Sequence, residues 1–204
     1  PNFTTARIRC GMKIISTGVG VMSLAAAAYL VQAAQAEWAV KDIYWSEPEI
    51  SAGVLSSRHL DTSYSYNTSR ELLTRCITTI SSKYFEEVAD AKNSTISMYC
   101  RNFAQGLIEK NARHAEAHLL LALLGEDMRD PDAVRSNLSA SQVLAPRDRF
   151  NVEWRLILAH RASQWSGEAL DGYDCRGDLK LLGEHLPANQ TLAYLRDNNA
   201  PLLE

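Results

Sequence analysis

The chain has 204 residues, 46% of them hydrophobic, and a formal net charge of −3. That length and apolar content suit one packed domain with an appendage, and the weakly negative charge excludes bulk nucleic-acid binding. The charge is uneven: residues 1–36 hold Arg7, Arg9 and Lys13 but no acid, so the remainder carries −6 and the two parts suit different surroundings.

After a short basic terminus, residues 1–13, the run Ile14–Ala34 holds 21 residues without a formal charge. As a helix it is roughly 30 Å long, enough to cross a bilayer core, so a transmembrane helix is expected over residues 14–36. In the fifteen residues that follow Ala34, Lys41 is outnumbered by Glu37, Asp42, Glu47 and Glu49. The positive-inside rule then keeps the N-terminus in the cytoplasm and carries Glu37 onward across the membrane. Trp38, Tyr44 and Trp45 fall where an interfacial aromatic belt is expected. The rival is a cleaved signal peptide with an Ala34-Gln35-Ala36 cleavage site. The apolar run exceeds the usual 7–15 residues of such a segment, and a retained anchor is the expectation. Ser16, Gly20, Ser23 and Ala27 form a small-residue stripe that would let a partner integral-membrane protein approach closely; the bland alternative is that small residues are common in such helices.

Residues 37–68 show no sustained period and read as an irregular tether or strap. A helical domain is expected over residues 69–204. Its first helix would be capped by Ser69 and run to about Ala91, burying Leu72, Leu73, Cys76, Ile77, Ile80 and Tyr84. The next, Ile96–Asn111, would be capped by Asn93 or Ser94, with Met98, Tyr99, Phe103, Leu107 and Ile108 facing inward. The stretch from Ala115 is apolar nearly all round between Leu119 and Leu124, the mark of a buried helix. Asp130-Pro131 opens another helix, as a capping acid before a proline at the first helical position. Pro146 closes it, since the residue before a proline is pushed out of the α region. Along it Ala133, Leu138, Ser141 and Leu144 fall near one face. Arg149–Gln164 is a further helix, Gly167–Gly177 a loop, and Leu179–His185 and Ala188–Asp197 two short helices split by Pro187. With no strand-period segment, the class is all-α.

The hairpin from Ala115 to Pro146 resembles a tetratricopeptide repeat, a helix pair with a period of roughly 34 residues. The resemblance rests on its Ala/Leu-rich first helix, on Ala133 near the packing alanine of the second, and on Ala145-Pro146 closing the unit. It extends loosely over Ser69–Ala162. It implies a stack of antiparallel helix pairs, with an irregular helical bundle as the alternative.

The chemistry-bearing patterns are few. His114 and His118 share a helix face, but the order His-x-Glu-x-His differs from that of zinc hydrolases, no third ligand is identifiable, and a polar turn is the better account. Cys76, Cys100 and Cys175 follow the anchor, where an oxidising compartment permits a disulfide. Paired about a turn at Ala91–Asn93, Cys76 and Cys100 would be out of level by roughly 10 Å, which leaves the pairing open against buried free thiols. Asn67, Asn93, Asn137 and Asn189 begin sequons, which carry little meaning in a bacterium, the source that the Ala-rich style suggests. No cofactor motif and no metal set is found. Arg129, Arg135, Arg147, Arg149, Arg155 and Arg161 make a basic run with interleaved acids. It reads either as a salt-bridged solvated face or as a groove for a protein or an anionic polymer, because arginine forks pair carboxylates.

The run Leu138–Phe150, followed by Trp154-Arg155-Leu156, is similar to small repeat proteins found beside bacterial envelope-polysaccharide polymerases and ligases. That resemblance implies a non-catalytic, single-pass inner-membrane subunit with a periplasmic interaction domain. The alternatives are a glycan-processing enzyme, which would need clustered carboxylates in a pocket, and an anchored carbohydrate- or peptide-binding receptor.

Overall fold

The computed structural model describes residues 22–31, 34–35, 37–38, 65–82, 90–110, 113–167, 170, 172–185, 191, 193 and 195. Six helices form the domain: α1 (Tyr66–Ile80), α2 (Asp90–Glu109), α3 (Ala115–Asp127), α4 (Pro131–Leu144), α5 (Arg149–Ser166) and α6 (Cys175–His185). The class is all-α, with no strand among the described residues. Residues 22–31 form a further helical stretch; residues 14–21 of the expected span lie outside the described residues. Among the described residues no helix is long and apolar enough to cross a membrane.

The all-round apolar helix is the hub. α3 packs against α1, α2, α4 and α5, which is why Leu119, Leu120, Ala122, Leu123 and Leu124 are all buried on different faces of it. Its tightest partner is α4. At the crossing, a Cβ added to Gly125 would lie 3.2 Å from the Cβ of Ala133, tighter than ordinary van der Waals contact, so the missing side chain at 125 suits the close approach of the two helices. The turn between them is a Schellman arrangement. Arg129 N–H donates to the Glu126 carbonyl and Asp130 N–H to the Gly125 carbonyl, each at 2.9 Å, while Arg129 takes the left-handed conformation at φ 55°. The expected start of α4 is present: the Asp130 carboxylate accepts from Ala133 N–H at 3.0 Å, ahead of Pro131. Its expected end is present too, at Leu144, two residues before Pro146. On its inner face Val134, Leu138 and Ser141 are buried, whereas Ala133 and Leu144 sit at the edge.

Four expected boundaries move. α1 is capped by Ser65, whose hydroxyl accepts from Thr68 N–H at 3.3 Å, and Ser69 lies buried inside the helix. The helix therefore starts within the stretch expected to be an irregular strap. It stops at Ile80, not near Ala91, because the Ser81 and Ser82 hydroxyls turn back onto the Ile77 and Thr79 carbonyls, at 2.7 Å each. α2 begins at Asp90, so Asn93 and Ser94 lie inside the helix rather than ahead of it. Within α2, Phe103 and Leu107 face the core as expected, but Met98 is exposed, and Ile96, Cys100 and Ala104 take the inner positions. α6 begins at Cys175, inside the stretch expected to be a loop. Of the last expected helix, only 191, 193 and 195 are described, and all three are helical.

The structure settles the cysteine question. Cys76 and Cys100 form a disulfide with a Cα–Cα distance of 5.9 Å. Cys76 lies four residues before the end of α1 and Cys100 ten residues after the start of α2, so the two meet because the helices are offset along their axes. Both are fully buried. Replacing the pair with alanines should lower stability by about 3 kcal/mol, the value for a closed loop of this size. The shift in urea midpoint of the full chain in detergent measures it.

Two apolar clusters result. The main one gathers α1 to α5 around α3. A smaller one, Val152, Leu156, Leu182 and Leu195, seats α6 and residue 195 against the far side of α5.

Candidate functional site

The N-terminal ends of α1, α3 and α5 meet at one end of the domain, and their polar side chains interlock there. Tyr66, the first residue of α1, stacks on His114, the residue before α3, with ring centroids 4.3 Å apart. From the second turn of α1, Arg70 reaches both neighbours. Its Nε donates to Glu116 Oε1 at 2.8 Å and its Nη2 to Asp148 Oδ2 at 2.6 Å. Asp148 in turn caps α5 by accepting from Asn151 N–H at 3.1 Å. The Asn151 amide donates to Glu116 at 3.1 Å and to Asp148 at 2.8 Å. Hydrogen bonding to Asn151 and Arg70 outweighs partial burial and holds the Asp148 carboxyl below its usual range.

Glu37, the first residue of the expected strap, is bound at this place too. Glu37 accepts from Ser65 N–H at 2.7 Å and from the Thr68 hydroxyl. The carboxylate that follows the apolar N-terminal stretch is thus bound to the first turn of α1, where a negative charge suits the exposed amides of a helix start. Around this rim Lys110, Arg113, Arg147 and Arg149 are exposed. Arg149 pairs with Glu153 one turn along α5.

The five arginines expected to line one groove do not converge. Arg129 and Arg135 sit at the start of α4, with Arg135 paired to Asp132. Arg147 and Arg149 sit beyond its end, a helix length of about 20 Å away. Arg155 is removed from any groove because it is fully buried. Its Nε and Nη2 bind the two oxygens of Asp178 at 2.6 and 2.8 Å, and its Nη1 reaches the Ala145 carbonyl at 3.1 Å. Tyr173 adds a hydroxyl to Asp178 at 2.7 Å. This clamp ties the end of α4 to α5 and α6. The lysine- and arginine-rich rim and the clamp have different origins. The rim uses residues at helix ends, whereas the clamp uses one arginine at a position of the inner helix face.

Of the small-residue stripe, Ser23 and Ala27 lie on the exposed surface of the 22–31 helix, and Ser16 and Gly20 lie outside the described residues. Asn137, one of the sequon residues, donates to the Ala133 carbonyl at 2.9 Å and bonds His118 at 3.0 Å. His114 and His118 therefore turn to different partners, Tyr66 and Asn137. Among the described residues no cluster of three metal-ligating groups exists. Burial, then the Asp178 and Asp174 carboxylates, push the Cys175 thiol up to about 12, which leaves it protonated and unreactive near neutrality.

Sequence reasoning passes over Arg70, Asp148, Asn151 and Asp178. Asp148 carries a local sign, an acid just before a helical run. Arg70 and Glu116 are separated by 46 positions and carry none.

His114 makes this end sensitive to acid. Burial pulls its pKa below 6.5, with Arg70 pulling the same way and Glu116 opposing. The folded state then holds the ring neutral more firmly than the unfolded chain does. The resulting stability is present above about pH 6.5 and is lost as pH falls toward the depressed value. His114→Gln should decline less steeply than the parent between neutral pH and about pH 5. The slope that persists in His114→Gln belongs in part to His160, whose pKa burial also lowers. Urea midpoints across that range, compared between parent and variant, read the difference, and equal slopes would refute it.

In comparisons with known proteins, the chain matches no family model, no curated protein and no solved structure.

Proposed function

We propose that this chain is a non-catalytic, single-span membrane protein whose tetratricopeptide-like helical domain serves as an interaction subunit of a bacterial envelope assembly, of the polysaccharide-exporting or polymerising kind. The observation that carries the reading is the helix at residues 22–31. Its Met22, Leu24, Tyr29, Leu30 and Val31 side chains are 56–76% exposed. A continuous apolar surface of that kind calls for lipid or a partner helix to cover it. It leads within a few residues to Glu37, which is bonded to α1, so whatever covers the apolar helix is coupled to the folded domain.

Other features support the same reading. The buried Cys76–Cys100 disulfide suits an oxidising compartment, in keeping with an N-terminus left in the cytoplasm and a domain in the periplasm. The α3–α4 hairpin is a unit that cannot bury its apolar faces alone, as repeat units cannot. The one buried arginine among the described residues, Arg155, serves as a staple between helices through its bond to Asp178.

The test is purification of the full chain from native membranes, followed by identification of what accompanies it. If the small-residue stripe docks a partner, Gly20→Leu with Ser23→Leu should preserve insertion yet lower recovery of the complex several-fold, since contact distance decides association between transmembrane helices. Val19→Leu with Met22→Leu is the control of comparable bulk. Equal recovery of both variants would make the stripe incidental, and glycan turnover by the isolated monomer would overturn the non-catalytic reading.

A further inference from the structure

The end of the domain that receives Glu37 carries a cluster of exposed cations among the described residues. Lys110 follows α2, Arg113 precedes α3, and Arg147 lies between α4 and α5; all three are exposed. None of the ion pairs among the described residues involves them. Arg149 adds a side chain that is 66% exposed despite its bond to Glu153. The acids of the same end are mostly withdrawn. Among the described residues, Glu116 is buried, Asp148 and Glu153 are largely covered, and Glu37 is held in its contacts with α1, which leaves the exposed Glu109 and, beside Arg70, the half-exposed Glu71 paired with Arg75. At the opposite end acids and arginines balance: Asp127, Asp130 and Asp132 are exposed around the α3–α4 turn, beside Arg129 and Arg135, with Arg101 and Arg161 near Asp127.

The position of this cationic end follows from the Glu37 contacts. Glu37 comes directly after the apolar N-terminal run and binds Ser65 and Thr68. Only a few residues separate it from the helix at 22–31, so the chain cannot carry the first turn of α1 far from wherever that helix resides. The neighbouring Trp38 is 72% exposed, an aromatic at the level where a bilayer interface would lie.

We propose that this end of the domain rests on the membrane surface, with Lys110, Arg113, Arg147 and Arg149 against the phosphates of anionic lipids. The proposal rests on the membrane-anchor reading for the nearness of the bilayer, and on charge complementarity for the contact itself. Basic residues close to an anionic surface are attracted within about a Debye length. The charge-balanced turn at α3–α4 is then directed away from the membrane and left open to protein partners.

The full chain would be reconstituted into vesicles of phosphatidylcholine alone, or of phosphatidylcholine mixed with phosphatidylglycerol, and amide hydrogen exchange compared. Exchange at residues 110–116 and 145–149 should slow in the anionic vesicles, while residues 126–132 serve as the unchanged control. High salt should erase the difference. Lys110→Gln, Arg113→Gln and Arg147→Gln together should erase it as well, with circular dichroism unchanged because all three side chains are exposed. Equal exchange in both lipids, or a difference that survives the triple change, overturns the proposal.

Alkaline extraction separates the two readings. A chain that resists extraction yet shows no lipid-dependent protection keeps its anchor and loses the surface contact. A chain that is extracted from neutral vesicles, but floats with anionic ones until the three charges are removed, loses the anchor and keeps the surface contact. A chain that floats with neither vesicle overturns both.

Discussion

Arg155→Met is expected to destabilise the helical domain by about 3–5 kcal/mol, the range for breaking a buried ion pair from one side. The side chain is 0% exposed and its partner Asp178 is 1% exposed, so neither charge can turn to water when the other is removed. Truncating the arginine leaves the Asp178 carboxylate with Tyr173 as its donor, and leaves the Ala145 carbonyl at the end of α4 without the Nη1 bond. The loss should concentrate where the clamp acts. α6 and the small cluster of Val152, Leu156 and Leu182 should open first, before the α3–α4 hairpin. Hydrogen exchange of the variant would show that order, and urea unfolding would supply the magnitude. The double change Arg155→Met with Asp178→Leu should recover part of the stability, because a well-packed apolar pair avoids the desolvation cost of two buried charges. If the single variant unfolds at the parent's midpoint, the clamp is not a structural tie.

Leu120→Asp should leave the domain unfolded. Leu120 is fully buried in the helix that touches α1, α2, α4 and α5, so a carboxylate there meets apolar atoms on every side. Loss of the leucine alone costs about 2–5 kcal/mol, and burial of an unpaired polar or charged group adds several more. Together these rival a total stability of about 5–15 kcal/mol. Leu121→Asp is the informative companion. Leu121 is only partly buried at the edge of the core, and its carboxylate can reach solvent. That variant should remain folded with a lowered midpoint. Far-UV circular dichroism and protease resistance distinguish the two. A folded Leu120→Asp would mean that α3 is not the hub of the packing.

How much of this was readable beforehand depends on the range over which each signal acts. The helix signals are local, and they were legible. Asp130-Pro131 caps α4 as written in four consecutive residues, and Pro146 ends it through a clash with its own neighbour. The apolar run Leu119–Leu124 announced a buried helix, and α3 is that helix, with Leu121 alone of the six only partly covered. Where two local signals competed, the sequence was ambiguous. Ser65 and Ser69 both offer a capping hydroxyl before the same apolar stripe. The choice fell to Ser65, where Glu37 from 28 positions earlier also binds the first turn.

The candidate site lies beyond any local signal. Arg155 reads as one more cation in a basic run, and nothing within several residues says that it faces inward. Its fate was set by Asp178, 23 positions later, and by the end of α4, which approach it only after the helices have packed. The same holds for Arg70 between Glu116 and Asp148, and for Cys76 level with Cys100. The five arginines of the run looked like one groove because they are near each other in sequence. A helix of 14 residues, however, carries its two ends to opposite sides of the domain. By itself the sequence determined the helical class, the central helix, several boundaries and an apolar N-terminal run, since these depend on backbone sterics, capping and the periodicity of apolar side chains. The tertiary structure alone decided which charges are buried and paired and which remain at the surface, because that outcome depends on distances between helices, and no residue carries those distances in its immediate neighbours.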